Sequence, residues 1–314
     1  MNFLVTGGAG FIGSRIVKQL VGDNHRVIVL DNLTGGSLEN LAEVIQTIEF
    51  IKGDIRDRAT VETAAAKADY VIHLAALVSV VESIADPLAF NEVNQTGTLT
   101  VLEASRKVGV KRVVLASSSA VYGANERMPL TEDEPVAPLS PYGMTKAMNE
   151  QYARLYTGLY GLETVALRYF NVFGPGQRAD SPYAAVIPKF ITALAEGGRA
   201  KIFGDGEQTR DFIYVEDVAA ANIQACTRPG IPGEVFNIGR GERVSVNQIY
   251  REIAVQLGKT VAPEYLPPRE GEILHSLADV RKAQTKLGFT AKMNMAEGLR
   301  RTVAGYTHSK EAVI

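Results

Sequence analysis

Apolar residues in this chain fall into two patterns. Short, nearly unbroken runs occur at Phe3-Leu4-Val5, Val27-Ile28-Val29-Leu30, Glu49-Phe50-Ile51, Tyr70-Val71-Ile72-His73-Leu74, Arg112-Val113-Val114-Leu115, Thr164-Val165-Ala166-Leu167 and Val235-Phe236-Asn237-Ile238. Between them, around 13–22, 60–67, 90–108, 144–160 and 216–227, apolar positions recur three or four apart. The runs are too short for helices and too continuous for strands wetted on one face, so they read as strands buried on both sides. Strands alternating with amphipathic helices predict βαβ units, hence an α/β fold with a doubly wound parallel Rossmann sheet. Right-handed crossovers then place a ligand crevice at the carboxyl ends of the strands. Gly7 to Gly13, Asp31, Asp54, Ala75, Ala76, the serines 117 to 119 and Asn171 fall at those ends.

From about residue 172 the texture changes. Phe173-Gly174-Pro175-Gly176-Gln177 and the segment 178–188 read as loops, and a basic, proline-bearing stretch runs from 259 to 272. The expected division is a dinucleotide-binding domain over 1–171 and a smaller α/β substrate-binding lobe over 172–314, with 211–238 returning to the first.

Composition narrows the class. With 314 residues, 46% apolar content and a net charge of −2, the chain reads as an ordinary soluble globular protein, with no basic excess for nucleic acid or a membrane surface. No run reaches the roughly 20 apolar residues that a membrane span needs, and the start resembles no secretory leader. A lone cysteine, Cys226, suits a reducing cytoplasm, and four scattered histidines lack ligand spacing, so no metal site is expected.

Gly7, Gly10 and Gly13, with Phe11 and Ile12, lie between the first strand and the first helix. Such glycines permit a tight turn, close approach of a pyrophosphate and close packing of helix on sheet. The helix N-terminus adds unpaired N–H groups and a positive dipole end. Asp31, 18 residues after Gly13, closes the second strand, where a carboxylate accepts from both ribose hydroxyls and repels a 2′-phosphate. The pattern predicts NAD rather than NADP.

Ser140-Pro141 reads as the capped start of a helix that brings Tyr142 and Lys146, four apart, onto one face. An ammonium beside a phenol favours the phenolate, which makes tyrosine a base near neutral pH. The serine-rich strand end Ser117-Ser118-Ser119 supplies a hydroxyl to share the reacting proton.

These motifs, together with Asp31-Asn32-Leu33, Asp54-Ile55 and His73-Leu74-Ala75-Ala76, resemble the extended short-chain dehydrogenase/reductases. Arg168-Tyr169-Phe170-Asn171-Val172-Phe173-Gly174-Pro175, Arg210-Asp211-Phe212-Ile213-Tyr214-Val215 and Arg269-Glu270-Gly271-Glu272 resemble the UDP-galactose 4-epimerase group within them. The resemblance runs from residue 2 to about 290. It implies Tyr142 as base, Lys146 on the nicotinamide ribose and Ser118, four residues before Tyr122, as the catalytic hydroxyl. It also implies that Asn32, Asp54, Ile55, Leu74, Ala75, Ala76 and Asn94 contact NAD. A UDP-sugar would be held by Ser79, Ser118, Tyr142, Asn171, Arg210, Arg269 and Ser276, the two arginines suiting a diphosphate.

Relatives that eliminate water carry a carboxylate two residues before the Tyr122 position, where this chain has Ala120. That favours epimerisation through a transient 4-keto sugar, with NAD regenerated in each turnover and retained. Ser276 leaves room for a 2-acetamido group. Tyr183-Ala184-Ala185-Val186-Ile187-Pro188 and His275-Ser276-Leu277-Ala278-Asp279 resemble the UDP-N-acetylhexosamine epimerases. A UDP-glucuronate epimerase would need a cation for the sugar carboxylate, for which Arg178 is the candidate. A non-catalytic NAD-binding regulator would have no need of the Ser118, Tyr142 and Lys146 set. Apolar stripes on the helices 90–108 (Leu99, Val101, Leu102) and 144–160 (Tyr152, Leu155, Tyr156, Leu159) imply, through the family, a homodimer built on a four-helix bundle.

Overall fold

Side chains of the short apolar runs alternate between two cores. In the computed structural model, which describes residues 1–178, 185–268 and 273–311, the runs are strands of one parallel sheet. In chain order they are β1 (Asn2–Thr6), β2 (Arg26–Asp31), β3 (Glu49–Lys52), β4 (Tyr70–His73), β5 (Arg112–Ser118), β6 (Glu163–Tyr169) and, later, β11 (Val235–Ile238). The seven strands are ordered β11-β6-β5-β4-β1-β2-β3. Phe3, Val5, Val27, Val29, Ile72 and Val114 face one core, covered by α1 (Phe11–Gly22) and α8 (Val215–Thr227). Leu4, Ile28, Leu30, Val71, Val113 and Leu115 face the other, covered by α2 (Arg58–Ala65), α5 (Gly97–Val108) and α6 (Pro141–Tyr160). Full burial of each such side chain is worth about 1.5–3 kcal/mol, so a one-residue register slip on either face would be heavily penalised.

The order reverses between β1 and β4, which sets the ligand crevice at that switch point. Thr6, Asp31, His73 and Ser118 close the strands that border it.

The expected single helix over 90–108 is not uniform. α4 (Pro87–Asn91) runs into a π-helical turn, Glu92–Thr96, before α5. The wider turn brings Asn94 and Gln95 inward. Asn94 Nδ2 donates to Leu77 O (3.0 Å) and Thr145 Oγ1 (3.1 Å), and Gln95 Nε2 donates to Thr145 O (2.6 Å). A regular 3.6-residue count cannot register that extra residue.

Beyond β6, β7 (Asn171–Phe173) pairs with β10 (Phe212–Tyr214), β8 (Lys201–Phe203) with β13 (Glu264–Leu266), and β9 (Thr209–Arg210) with β12 (Val244–Ser245). α7 (Val186–Ala195), α9 (Val246–Gln256) and α10 (Met295–Glu311) close a third core around Phe190, Leu194, Ile249, Ile253, Leu299 and Val303. Residues 186–188, expected as loop, instead open α7, with Pro188 in its first turn where the missing N–H costs nothing. Tyr183 and Ala184 lie outside the described residues. A short helix, α3 (Val80–Ala85), follows the β4 exit. No helix among the described residues is long and apolar enough to cross a membrane.

Candidate active site

The turn after β1 is a cradle that side chains would fill. Gly7 has φ +71°, and a Cβ on it would stand 2.7 Å from the backbone nitrogen of Ala75. A Cβ on Gly13 would stand 2.1 Å from Gly7 O. On Gly10 it would meet only Gly7 O, at 3.2 Å, and otherwise open space. Gly10 is the N-cap of α1 and offers no capping side chain, so the first N–H groups of the helix, at Phe11, Ile12 and Gly13, have no intrahelical acceptor. This suits a pyrophosphate. Buried Asp31 accepts from Ala9 N–H (2.9 Å) and Leu33 N–H (2.7 Å), which ties its carboxylate to the glycine turn.

Asn32 and Asp54, both expected to contact NAD, are linked to each other. Asn32 Nδ2 donates to Asp54 Oδ2 (3.1 Å), and the Arg56 guanidinium beside Asp54 holds its carboxyl down at about 2. Ile55 is buried against Gly97, where any Cβ would stand 2.4 Å from Ile55 Cδ1. Leu74, Ala75 and Ala76 leave β4 half-buried, facing the glycine turn. Asn94 accepts from Leu77 N–H (2.9 Å) and donates to Leu77 and Thr145, so it shapes the loop after β4. Buried His73 sits between Thr6 Oγ1 (2.7 Å) and Thr98 Oγ1 (3.0 Å). Burial first, then the Lys146 charge, lower its pKa to about 3, so the ring is neutral. Sequence reasoning took His73 as part of a motif and missed this bridge from β1 to α5.

Ser118, Tyr142 and Lys146 converge at the β5 exit. Ser140 Oγ caps α6 by accepting from Gly143 N–H (3.1 Å), and Pro141 opens the helix. Tyr142 and Lys146 share a face, with Nζ 5.8 Å from the phenol ring centroid. Ser118 Oγ accepts from Ala120 N–H (3.2 Å), which leaves its own proton to donate. The Ser117 hydroxyl, by contrast, is committed to the Glu150 carboxylate. Of these two serines, Ser118 is the one whose hydroxyl is not taken by Glu150.

One expectation changes. The phenol's pKa is raised, with burial the cause, and only the Ser118 hydroxyl acts to lower it. Lys146 Nζ donates to Ala116 O (2.9 Å), and burial pushes its own pKa down to about 8. Glu150, one turn beyond Lys146, works against that fall and forms a buried two-pronged pair with Arg168 (2.9 and 2.7 Å). Glu150 was not singled out from sequence, and Arg168 entered only as part of a motif.

In the segment after β4, Ser79 caps α3 by accepting from Glu82 N–H (3.1 Å). Asn171 opens β7, and its N–H donates to Asp211 O (3.0 Å). Arg210 Nη1 donates to Thr209 O (2.9 Å) and Leu274 O (3.1 Å). Ser276, half-buried, donates its N–H to Thr209 O (3.1 Å). The structure thus joins Arg210 and Ser276 on paired segments, while Arg269 lies outside the described residues. Asp211, which entered the sequence reading only within a motif, has its carboxylate taken by backbone N–H groups of Arg240, Gly241 and Ala278.

A glycine cradle at a Rossmann switch point, with Ser, Tyr and Lys at the neighbouring strand exit, defines a nicotinamide-dependent enzyme. The model of the NAD dependent epimerase/dehydratase family matches residues 3–239, and the chain belongs to that family. NAD is its cofactor. The UDP-glucose 4-epimerase of Mycolicibacterium smegmatis is 40% identical over 315 residues, covering 99% of this chain and 100% of its own. The solved UDP-N-acetylglucosamine 4-epimerase of Methanobrevibacter ruminantium, in complex with UDP-N-acetylmuramic acid, superposes with a TM-score of 0.94 at 44% identity over 98% of both chains. The UDP-glucose 4-epimerase of Thermotoga maritima, solved with UDP-glucose, superposes with a TM-score of 0.94 at 39% identity over 99% of this chain and 100% of its own.

Proposed function

We propose that the protein is an isomerase that inverts carbon 4 of UDP-hexoses, acting on UDP-glucose and UDP-galactose and also on their 2-acetamido counterparts. The observation that carries this is the Ser118, Tyr142 and Lys146 set at the β5 exit, with Ala120 where elimination of water would need an acid. NAD, when bound, supplies the two-electron acceptor and donor for carbon 4 and a positive ring beside the phenol. Tyr142 takes the 4-hydroxyl proton and later returns it. Ser118 donates a hydrogen bond to the same oxygen, steadying it as it becomes a ketone. Lys146 holds the nicotinamide ribose and adds positive charge on the tyrosine face of α6. Asn171, Arg210 and Arg269 anchor the uridine diphosphate while the keto sugar turns over between them.

Ser276 supports the wider substrate range, since a small side chain there leaves space at the sugar's carbon 2. A panel of UDP-sugars incubated without added nicotinamide, with products identified by mass and retention, tests both statements. Interconversion of both pairs is expected, and Ser276→Tyr should remove turnover of the acetylated pair alone. Turnover of neither pair contradicts the function, and turnover of the plain hexoses alone contradicts the range.

A homodimer through α5 and α6 is part of the same reading. Met144, Met148, Leu155 and Leu159 lie along one exposed stripe of α6, at steps of four, seven and four.

A further inference from the structure

Asp211 is fully buried yet is a carboxylate, next in sequence to a residue read as gripping the substrate. Its Oδ1 accepts from Arg240 N–H (2.8 Å), and its Oδ2 accepts from Gly241 N–H (2.9 Å) and Ala278 N–H (3.1 Å). Its backbone oxygen accepts from Asn171 N–H (3.0 Å). One residue therefore joins the start of β7, the β9–β10 segment, the loop leaving β11 and the stretch 275–279. Three of these carry Asn171, Arg210 and Ser276.

The neighbourhood is built around that carboxylate. A Cβ on Gly239 would stand 2.8 Å from Asp211 Oδ2 and 2.8 Å from Ala278 Cβ, so the loop passes only because residue 239 is glycine. Thr209 N–H donates to Leu274 O (2.9 Å) and Ser276 N–H to Thr209 O (3.1 Å), which closes the same two segments together from the other side. Two oxygens serving three donors require the acid. An amide has one acceptor oxygen, and its NH2 would confront a backbone N–H. Burial draws this carboxyl up to about 6, a cost that the three N–H donors only partly offset.

We propose that Asp211 is a positioning residue that sets the width of the uridine-diphosphate cleft, holding the segments of Asn171, Arg210 and Ser276 in register without itself touching substrate. This rests on the functional reading above. Its removal should loosen substrate capture while leaving the chemical step and the NAD cradle, on the far side of the crevice, intact.

The test compares wild type with Asp211→Asn in KM and kcat for UDP-galactose, the Kd of UDP by calorimetry, and NAD content after purification. The expected result is a rise of about tenfold or more in both KM and the UDP Kd, with kcat within about threefold and full NAD content. A folded variant with KM and UDP Kd unchanged overturns the proposal, as does a fall in kcat with KM unchanged. If Asp211→Asn does not fold, Gly239→Ala, which drives a methyl group against Oδ2 and Ala278, is expected to give the same split, and unchanged KM and Kd there overturn the proposal. Wild type that binds UDP but turns over no UDP-hexose sinks the functional reading alone, and the UDP Kd comparison still decides the clamp.

Discussion

Tyr142 and Lys146 occupy adjacent turns of α6, yet the chain's own side chains leave the phenol above its ordinary pKa. In the proposed reaction the proton of the sugar hydroxyl goes to that one oxygen, so Tyr142→Phe should lower kcat by about 10²–10⁴-fold with NAD content and melting temperature unchanged. Activity within tenfold of wild type would assign the proton to another group. His73 makes a separate, pH-dependent contribution. Its pKa falls from 6.5 in the unfolded chain to about 3 in the fold, so the unfolded state binds the proton first. The stability due to its neutrality is present above pH 6.5 and is lost as pH falls toward 3, by up to about 5 kcal/mol. Asp211 acts in the opposite sense between pH 6 and 4, since its native carboxyl is protonated first. Comparing His73→Gln with wild type separates the two. Denaturant melts from pH 7 to 4 should show a shallower acid loss in the variant, and equal slopes would contradict the assignment. At this scale Gly7, Asp31, Ser118 and Lys146 could be picked out in sequence, because they stand at fixed offsets from recognisable turns. His73, Glu150 and Asp211 were not, because their roles depend on partners 25, 18 and 67 residues away.

Elements buried on both faces were legible as well. The strands β1, β2, β4 and β5 alternate between two apolar cores, and the pattern shows through as continuous runs. The two- and three-residue strands β7, β9 and β12 could not be seen, since so short a segment has no period and its pairing is long-range. The π-turn at Glu92–Thr96 escaped for a related reason, being set by what Asn94 and Gln95 reach in α6 and the β4 exit. In the proposed function the cradle between β1 and α1 is the element on which cofactor retention depends. Gly13→Ala would place a methyl carbon 2.1 Å from Gly7 O and force the turn open. The variant should purify without NAD and regain activity only with added NAD, if at all. Full NAD content by absorbance and mass would contradict a closed cradle.

At the scale of the whole molecule, α6 leaves an apolar stripe exposed. Met144, Met148, Leu155 and Leu159 are between 39% and 69% exposed, while Val101 and Leu102 of α5, which the sequence placed on the same surface, are in the core. The stripe that remains is what a partner copy would cover. Leu155→Lys with Leu159→Lys should convert a dimer to a monomer by sedimentation, and a wild type already monomeric would contradict the dimer. The central claim is that carbon 4 is inverted by internal oxidation and reduction on a retained NAD. It is tested most directly by incubating the purified protein with UDP-galactose in D₂O, without added nicotinamide, and following carbon 4 by NMR. The account predicts UDP-glucose that keeps its original hydrogen at carbon 4. Deuterium at carbon 4, or a 4-keto-6-deoxy product, would contradict it.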